Sequence, residues 1–433
     1  MASNALVLVV DRFSLPVHIG KLIAGVKYPA RYNKETRQIC LTKEFFSILA
    51  DLSNVLEGSE IFFYKRRVDE RPRERGFLGV WLAEPCEDMM VFEDWKNPVG
   101  FGKHQILSEC PRCGSPASNP PKEGEIHCES CNSNLKGNHI LPLRFHLKRH
   151  WVFTRYLDDN LAYIDITDSG RLSTLIFRKI TGAGRERSAA IILPEEAEKL
   201  KRLLERVQNE AKNDMIPSMG ISPSPIACKS MNRIDIRKYL DFSKKFIFAE
   251  GNQSVNGYLY KDNGLLRFES ILEFWLVDKL ASASEELTEV LGLQKGEQIE
   301  WFGNQILFGI GGEKSDVLVL IRNSEGLRHR AVVIELKKDK VKRDTFDQVM
   351  GYAYWIAQLV SANLRDQVAS PFTITPIAIG SSAARDLAGV TFAEESLEIP
   401  YDNPSKSRLK NPRYGDTRLL QKVWFLYTVK DVR

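Results

Sequence analysis

The chain has 433 residues, of which 43% are hydrophobic and 27% are charged, and its formal net charge is +5. These proportions are typical of globular proteins, so they exclude a chain that is largely disordered, collagen-like or coiled-coil. A chain of this length is expected to form about two to four domains. The small basic excess permits a nucleic-acid partner but does not require one.

A membrane protein is not expected. None of the apolar runs approaches the roughly 18 residues that a membrane-spanning helix needs. The start of the chain, MASNALVLVV, lacks a basic segment and is followed at once by Asp11 and Arg12, so it favours a strand over a signal peptide. We therefore expect a soluble cytoplasmic protein without a membrane partner.

Short strands dominate residues 1–193. Apolar or alternating runs that end at Gly, Asp or Asn predict these strands. The predicted strands are Leu6–Val10, Glu60–Tyr64, Phe77–Leu82, Leu161–Ile166, Leu175–Ile180 and Ala189–Leu193. A helix at Thr42–Ala50 interrupts them, and the whole pattern favours a small, curved, β-rich domain.

A second helix and a linker follow this β-rich part. Pro194 opens the helix at a position where its missing N–H costs nothing, and two glutamates follow in the first turn, where the helix dipole favours acids. The helix is predicted to end near Asn213. The stretch Met215–Pro225 is rich in proline and serine and marks a domain boundary. We place the first domain at residues 1–213 and the linker at residues 214–235.

Helices and strands alternate in the second half, residues 236–433. Their predicted order is α-β-β-β-α-β, which favours a mixed sheet with flanking helices. The predicted elements are helix Glu269–Leu280, strands Gln298–Phe302, Asp316–Ile321 and Ala331–Leu336, helix Thr345–Val360 and strand Thr373–Ile379.

Four of the seven cysteines form two CxxC pairs that are fourteen residues apart. They are Cys110, Cys113, Cys128 and Cys131. Two such pairs can surround one ion with a tetrahedron of thiolates, so we predict a structural Zn²⁺ site within residues 106–137, with another thiolate-bound metal as the alternative. Four cysteine ligands leave no open position for catalysis. The site either holds together a loop that cannot fold alone or forms a zinc ribbon that contacts nucleic acid.

Two acids and a lysine mark two neighbouring strands in the second half. Asp316 opens the apolar strand SDVLVLI, and Glu335 and Lys337 follow in VVIELKK. Successive residues of a strand point to opposite faces, so Glu335 and Lys337 share one face, and Asp316 can approach Glu335 from the adjacent strand. Converging carboxylates suit Mg²⁺ or Mn²⁺, and a lysine beside them suits phosphodiester hydrolysis. A surface strand with a salt bridge is the alternative.

This segment resembles the PD-(D/E)XK nuclease superfamily, in particular its NucS-like and RecB-like endonuclease domains. The resemblance covers residues 268–380. The matching residues are Asp316, Glu335, Leu336, Lys337, Gln348, Tyr352 and, on the first core helix, Glu269. Glu273, one helical turn after Glu269, is the alternative acid on that helix. The sequence departs from the family pattern in that Ser315 replaces the name-giving proline and the stretch between the helix and Asp316 is longer than in compact members.

The resemblance implies a nuclease core with an assigned role for each of these side chains. Asp316 and Glu335 would hold Mg²⁺ or Mn²⁺, Lys337 would assist the attacking water, and Glu269 would complete the metal site. The glutamine and tyrosine of the QxxxY motif would support the active-site helix or contact the DNA backbone. A degenerate nuclease fold that only binds nucleic acid is the alternative.

The segments GSEIFFYKRR, RGFLGVWLAEP and LPLRFHLK resemble PUA-like domains of the EVE type, with the zinc ribbon as an insertion. This resemblance covers residues 20–193 and implies a pseudo-barrel that accepts a flipped or modified base. Aromatic side chains would replace the stacking that such a base loses. The candidates, each of which is otherwise a core residue, are Trp81, Trp95, Trp151 and Tyr156.

Two basic clusters in the same half are predicted to contact phosphate groups, with solvated loops as the alternative. The first contains Arg66, Arg67, Arg73 and Arg75, and the second contains Arg178, Lys179, Arg185 and Arg187.

We expect an α+β multidomain protein in which residues 1–213 form a β-rich PUA-like pseudo-barrel with a four-cysteine zinc ribbon and residues 236–433 form an α/β nuclease domain. The predicted function is a metal-dependent DNA endonuclease whose N-terminal domain recognises modified, damaged or mismatched DNA, in restriction or in repair. The alternatives are a nucleic-acid-binding regulator with a silent nuclease fold and an RNA-binding PUA-like protein. A homodimer would supply the second active site that double-strand cutting needs.

Overall fold

The computed structural model describes about half of the chain. The described residues are 4–10, 15, 18–19, 22–26, 31–33, 38–40, 43–65, 76–84, 106–107, 143–151, 156–158, 189–213, 246–247, 261–262, 265–266, 268–308, 313–363, 368–385, 397–399 and 425–426. They form a mixed α+β fold with two mixed sheets and few helices. None of the helices in these segments is long and apolar enough to cross a membrane. The predicted linker, residues 214–235, lies outside them.

The helices match the sequence predictions closely. Those with both ends in the described segments are α1 (Lys43–Ser53), α2 (Pro194–Asn213), α3 (Glu269–Ala281), α4 (Glu286–Leu291) and α5 (Arg343–Asn363). Pro194 does begin α2, with two glutamates in its first turn. The helix predicted over Thr42–Ala50 ends three residues later because Leu52 is also buried and extends its apolar face.

The strands are numbered in chain order. They are β1 (Ala5–Val10), β2 (Ile23–Val26), β3 (Arg31–Asn33), β4 (Gln38–Cys40), β5 (Glu60–Lys65), β6 (Gly76–Ala83), β7 (Ile106–Leu107), β8 (Leu143–Trp151), β9 (Ala189–Ile192), β10 (Phe246–Ile247), β11 (Lys261–Asp262), β12 (Leu265–Leu266), β13 (Gln298–Phe308), β14 (Glu313–Arg322), β15 (Arg328–Leu336), β16 (Lys340–Val341), β17 (Val368–Gly380), β18 (Ser382–Ala383), β19 (Leu397–Ile399) and β20 (Phe425–Leu426).

The first large sheet belongs to the N-terminal half. Its strand order in the described part of the chain is β2-β8-β6-β5-β1-β9. β1 pairs parallel with β5, and the other neighbours pair antiparallel. Four of the predicted strands are confirmed here as β1, β5, β6 and β9, whereas the strands predicted at Leu161–Ile166 and Leu175–Ile180 lie outside the described residues.

The second large sheet confirms the α-β-β-β-α-β order predicted for residues 269–379, with the short α4 inserted after α3. Its strand order is β13-β14-β15-β17-β19, and β20 also pairs with β17. β13, β14 and β15 form an antiparallel meander, while β17 returns parallel to β15 after α5. The two faces of β15 differ as predicted: Val332 and Ile334 pack on the side of α3, and Val333 packs on the side of α5.

Among the described residues, a large hydrophobic core shared by the two halves runs along the contact between α1 and α3. The rings of Phe46, on α1, and Phe268, at the start of α3, lie 6.3 Å apart between centroids. The Ser270 hydroxyl donates a hydrogen bond to the carbonyl oxygen of Lys43 at 3.0 Å. A helix of the N-terminal half therefore packs directly against the helix that carries two acids of the candidate site.

A second contact between the halves is polar and buried. The Arg328 side chain, on β15, binds Glu300 on β13 through two hydrogen bonds of 2.5 and 2.7 Å, and it donates a third of 2.8 Å to Glu195 in the first turn of α2. Close by, the indole N–H of Trp301 donates to the carbonyl oxygen of Ile192 at 3.0 Å. These bonds hold the edge of the second sheet against the end of β9 and the start of α2.

Candidate active site

The candidate site lies where β14 begins and β15 ends. Val317 of β14 pairs with Ile334 of β15, so the next residues in the two strands, Asp316 and Glu335, are neighbours. The backbone N–H of Leu336 donates a hydrogen bond to Asp316 Oδ2 at 2.7 Å. The sequence prediction that these two carboxylates approach each other from adjacent strands therefore agrees with the geometry.

Lys337 lies next to the two carboxylates, on the same face as Glu335. Its Nζ donates a hydrogen bond to Glu335 Oε1 at 2.5 Å, and its backbone N–H donates to the carbonyl oxygen of Ile379 on β17 at 2.8 Å. Burial lowers the lysine pKa, but the contact with Glu335 and the charges of Glu269 and Asp316 outweigh that effect, so the pKa of Lys337 is raised. The side chain is a cation at neutral pH.

The two carboxylates are held in surroundings that disfavour their charge. Burial, followed by the charges of Glu335, Glu273 and Glu269, raises the pKa of Asp316 well above its ordinary value. Burial also raises the pKa of Glu335, although the contact with Lys337 partly counteracts it. Four acids against one lysine leave an excess of negative charge, which a divalent cation would neutralise.

The donor set fits such a cation. Glu335 Oε2 is buried without a hydrogen-bond partner among the described residues. No three His, Cys, Asp or Glu side chains in those residues are already gathered as a complete metal-binding group. Mg²⁺ does not need one, since it commonly binds through one or two carboxylates together with water and substrate phosphates. Asp316 and Glu335 are sufficient for this mode.

Helix α3 contributes the two further acids. Glu269 is its first residue, where a carboxylate suits the helix dipole, and its charge acts on Asp316, Glu335 and Lys337. Glu273 lies one turn further along, is only 4% exposed, and accepts a hydrogen bond from Asn304 at 2.7 Å. Both acids are near the site, and only Glu273 has a hydrogen-bonded buried position.

Gln348 and Tyr352 lie one turn apart on α5 and contact each other. The Gln348 amide, which is exposed, donates a hydrogen bond of 2.5 Å to the hydroxyl oxygen of Tyr352. Burial raises the pKa of Tyr352, and the charges of Glu335 and Asp316 raise it further, so the phenol stays protonated beside the two acids. Of the QxxxY pair, Tyr352 thus lies within range of the charges of both carboxylates, and Gln348 is bonded to it.

Ser315 occupies the position at which the PD-(D/E)XK sequence pattern has its proline. It is fully buried, and its hydroxyl lies 3.1 Å from the carbonyl oxygen of Val317 and 3.4 Å from that of Ile334. A hydroxyl at this point can donate to a carbonyl of its own strand or to one of β15. This hydroxyl therefore offers a polar contact between the start of β14 and β15 next to Asp316.

Two residues near the site were missed by the sequence analysis. Gln305, on β13, donates a hydrogen bond to Asp316 Oδ1 at 3.1 Å, and its backbone has a φ of 52°, which is unusual for a residue with a side chain. Asn304 donates to Glu273. The sequence signal is the polar pair NQ inside the apolar run WFGNQILF, which lies beyond the predicted strand end at Phe302.

The sites predicted in the N-terminal half lie largely outside the described residues. This holds for both basic clusters, for the four cysteines of the predicted zinc site and for Trp95; of Trp151 the structure gives the backbone alone. Trp81 is 1% exposed, and its ring lies 4.8 Å from that of Phe63. Tyr156 is 2% exposed and has Lys65 Nζ 5.4 Å from its ring centroid. In this structure both rings are core residues.

Replacing Asp316 with asparagine is expected to stabilise the metal-free protein. The folded-state pKa of Asp316 is raised, so its ionisation opposes folding: stability falls as the pH rises from the unfolded-state to the folded-state pKa and stays lower above both. Asparagine cannot ionise, yet its oxygen can still accept the hydrogen bond from Leu336. Thermal unfolding in EDTA at neutral pH should therefore show a higher Tm for Asp316→Asn than for wild type.

The control for this prediction is Asp347→Asn, the same chemical change at an exposed position of α5. The difference between Asp316→Asn and wild type should shrink at low pH, where the wild-type carboxyl group is also neutral. Mn²⁺ should raise the Tm of wild type more than that of Asp316→Asn. A Tm below that of wild type in EDTA would show that the Asp316 carboxylate is not repelled by its neighbours.

Neither a protein-family model nor a curated protein matches the chain. Among solved structures, the chain is similar to human THYN1, crystallised in complex with DNA containing 5-methylcytosine, at 12% identity and a TM-score of 0.25; the match covers 47% of this chain and 98% of that chain. It is also similar to EndoMS in its apo form, at 21% identity and a TM-score of 0.15, over 24% of this chain and 38% of that chain. Similarity this low does not place the chain in a family.

Proposed function

We propose that the chain is a metal-dependent nuclease that hydrolyses phosphodiester bonds in DNA. The observation that carries the proposal is the group formed by Asp316, Glu335 and Lys337 where β14 begins and β15 ends. Asp316 accepts hydrogen bonds from the Gln305 amide and the Leu336 N–H, and Glu335 accepts one from Lys337. A surface salt bridge would pair one acid with one base. Here two neighbouring acids have raised pKa values, and their repulsion has no structural benefit unless a cation binds between them.

Asp316 and Glu335 would hold Mg²⁺ or Mn²⁺, and Glu269 would complete the site. When bound, such an ion polarises the scissile phosphate and lowers the pKa of water at the site. The protein's contribution is to keep both carboxylates in place, through the Leu336 N–H and the Gln305 amide on Asp316 and through Lys337 on Glu335.

Lys337 would act as a fixed positive charge. Its raised pKa means that it keeps its proton at neutral pH, so it does not serve as a general base. It would orient the attacking water and offset the negative charge that grows on the phosphate in the transition state. Its side chain is 28% exposed, which leaves its ammonium group access to a bound strand.

Gln348 would contact the phosphate backbone of the bound DNA. Its amide is exposed, and Tyr352, which is buried, holds it in one orientation. Oriented amides that donate to phosphate oxygens position a duplex without reading its sequence.

Target recognition belongs in this proposal to the N-terminal half. The zinc ribbon and the two basic clusters would bind DNA, and the PUA-like part would select modified, damaged or mismatched bases, in restriction or in repair. The support for this part is the sequence resemblance and the positive charge of these segments. A homodimer would place a second active site on the opposite strand.

The test is nicking and cleavage of a substrate panel with Mg²⁺, with Mn²⁺ and with EDTA, for wild type and Asp316→Ala. The panel holds plain, base-modified, mismatched and branched DNA together with RNA. We expect cleavage that needs the metal and is lost in Asp316→Ala, with the preferred substrate separating restriction from repair. If both proteins are inert but bind DNA or RNA equally, the chain is a binding protein with a silent nuclease fold.

A further inference from the structure

A buried polar cluster centred on Asn304 connects the N-terminal half to the acids of the candidate site. Asn304 Nδ2 donates hydrogen bonds to Asp51 Oδ1 at 2.9 Å and to Glu273 Oε1 at 2.7 Å. Asn304 Oδ1 accepts a hydrogen bond from Asn54 Nδ2 at 2.8 Å. Asp51 lies on α1, Asn54 is the first residue after the end of α1, and Glu273 lies on α3. All four residues are at most 4% exposed.

Both polar atoms of the Asn304 amide have partners in this arrangement. Its two N–H groups each meet one carboxylate, and its oxygen meets an N–H donor. The opposite orientation would point the amide oxygen at two carboxylates and is therefore excluded. Asn54 is itself held by two further hydrogen bonds. Its Nδ2 donates to the carbonyl oxygen of Ala50 at 3.0 Å, and its backbone carbonyl oxygen accepts from Asn4 Nδ2 at 2.8 Å.

The cluster bears on the site through α3. Glu273 and Glu269 are one turn apart on that helix and so lie on the same side of it. The charge of Glu273 acts on Asp316, and that of Glu269 acts on Glu335 and Lys337 as well. Holding Glu273 against Asn304 thus fixes the rotation of α3 and the position of Glu269.

A purely structural contact would not need these side chains. The α1–α3 contact already has apolar packing and the bond from Ser270 to Lys43. Apolar residues of similar volume generally serve a buried contact as well as charged ones do. Burying two carboxylates that share one amide costs free energy. This cost indicates that their placement has a use.

We propose that Glu273 is a positioning residue and not a metal ligand, and that Asn304, held by Asp51 and Asn54, places α3 so that Glu269 can complete the metal site. The competence of the C-terminal site then depends on α1 of the N-terminal half. This inference rests on the proposed metal-dependent nuclease.

The test exchanges carboxylates and amides within the cluster of the full-length protein. In Asn304→Asp, a third carboxylate faces Asp51 and Glu273, so α3 should move and the affinity for Mn²⁺, measured by titration calorimetry, should fall about 10- to 100-fold. In the triple variant D51N/N304D/E273Q, the new carboxylate accepts hydrogen bonds from three amides. This variant should recover Mn²⁺ affinity to within about 3-fold of wild type, a difference that is small beside the loss. A cooperative unfolding transition in urea is the control that each variant is folded.

Two results would overturn the inference. If Glu273 were a ligand, the triple variant would stay as weak as Asn304→Asp, because a glutamine at position 273 is a poor substitute for a carboxylate. If the effect were only a loosening of the α1–α3 contact, Ser270→Ala would lower the Mn²⁺ affinity as much as Asn304→Asp does. Ser270→Ala removes a bond between the same two helices without touching the cluster.

The outcome also separates this inference from the proposed function. Wild-type protein that binds Mn²⁺ but cuts nothing on the panel contradicts the nuclease, while the order of Mn²⁺ affinities among the variants still decides the role of Glu273. Wild-type protein that does not bind Mn²⁺ overturns both. Cleavage by wild type combined with an unchanged Mn²⁺ affinity in Asn304→Asp overturns the inference alone.

Discussion

Replacing Lys337 with alanine is expected to lower the rate of cleavage about 10²- to 10³-fold, the usual cost of removing one group that stabilises transition-state charge. The Lys337 ammonium lies 2.5 Å from Glu335 and has a raised pKa, so in the proposed mechanism it is a permanent cation next to the reacting phosphate. Mn²⁺ affinity should be kept or increased, because the variant removes a positive charge that competes with the metal for Glu335. Single-turnover cleavage and calorimetric titration measure the two quantities.

The matched control is Lys338→Ala, which changes the neighbouring lysine. Lys338 is 46% exposed, and its Nζ lies 3.8 Å from Asp339 Oδ2. A charge this accessible to water contributes little, so cleavage should stay within about 2- to 3-fold of wild type, a free-energy difference below roughly 1 kcal/mol. Equal losses in the two variants would reduce the role of Lys337 to general attraction of DNA. Loss of Mn²⁺ binding in Lys337→Ala would assign it to the structure of the metal site.

The contact between strands β14 and β15 was predictable because it depends on local patterns. Alternation along two apolar strands joined by a short turn is enough to place Asp316 beside Glu335 and to put Lys337 on the same face. The helix that carries Gln348 and Tyr352 has a regular apolar face, so its position along the chain was also predictable.

The Asn304 cluster was not predictable, because no local pattern points to its partners. Asn54 and Asp51 are separated from Asn304 by 250 and 253 residues. The strand that contains Asn304 was predicted only as far as Phe302. It continues to Phe308 because the polar side chains find partners inside the protein. The positive φ of Gln305 is equally invisible in the sequence.

Replacing Arg328 with methionine is expected to lower the free energy of unfolding by about 3–5 kcal/mol, the usual cost of breaking a buried ion pair. Arg328 is 1% exposed and Glu300, which accepts two of its hydrogen bonds, is 2% exposed. Methionine fills much of the arginine volume but leaves Glu300 as a buried charge with less compensation. It also removes the bond to Glu195, and so one of the contacts between the two halves. Urea unfolding at neutral pH measures the loss.

Arg322→Met is the matched control, since Arg322 binds the same carboxylate from the surface. Its Nη2 lies 3.0 Å from Glu300 Oε1, but its side chain is 43% exposed, so its removal should cost no more than about 1 kcal/mol.

The pH dependence gives an independent check. Burial alone would raise the pKa of Glu300, but its bonds to Arg328 and Arg322 outweigh burial and lower the pKa. The ionised Glu300 therefore stabilises the fold above its unfolded-state pKa, and this contribution is lost as the pH falls through its folded-state pKa. In Arg328→Met, the free energy of unfolding should therefore fall less steeply at acid pH than in wild type. Equal losses of unfolding free energy in the two arginine variants would show that burial does not decide the strength of this contact.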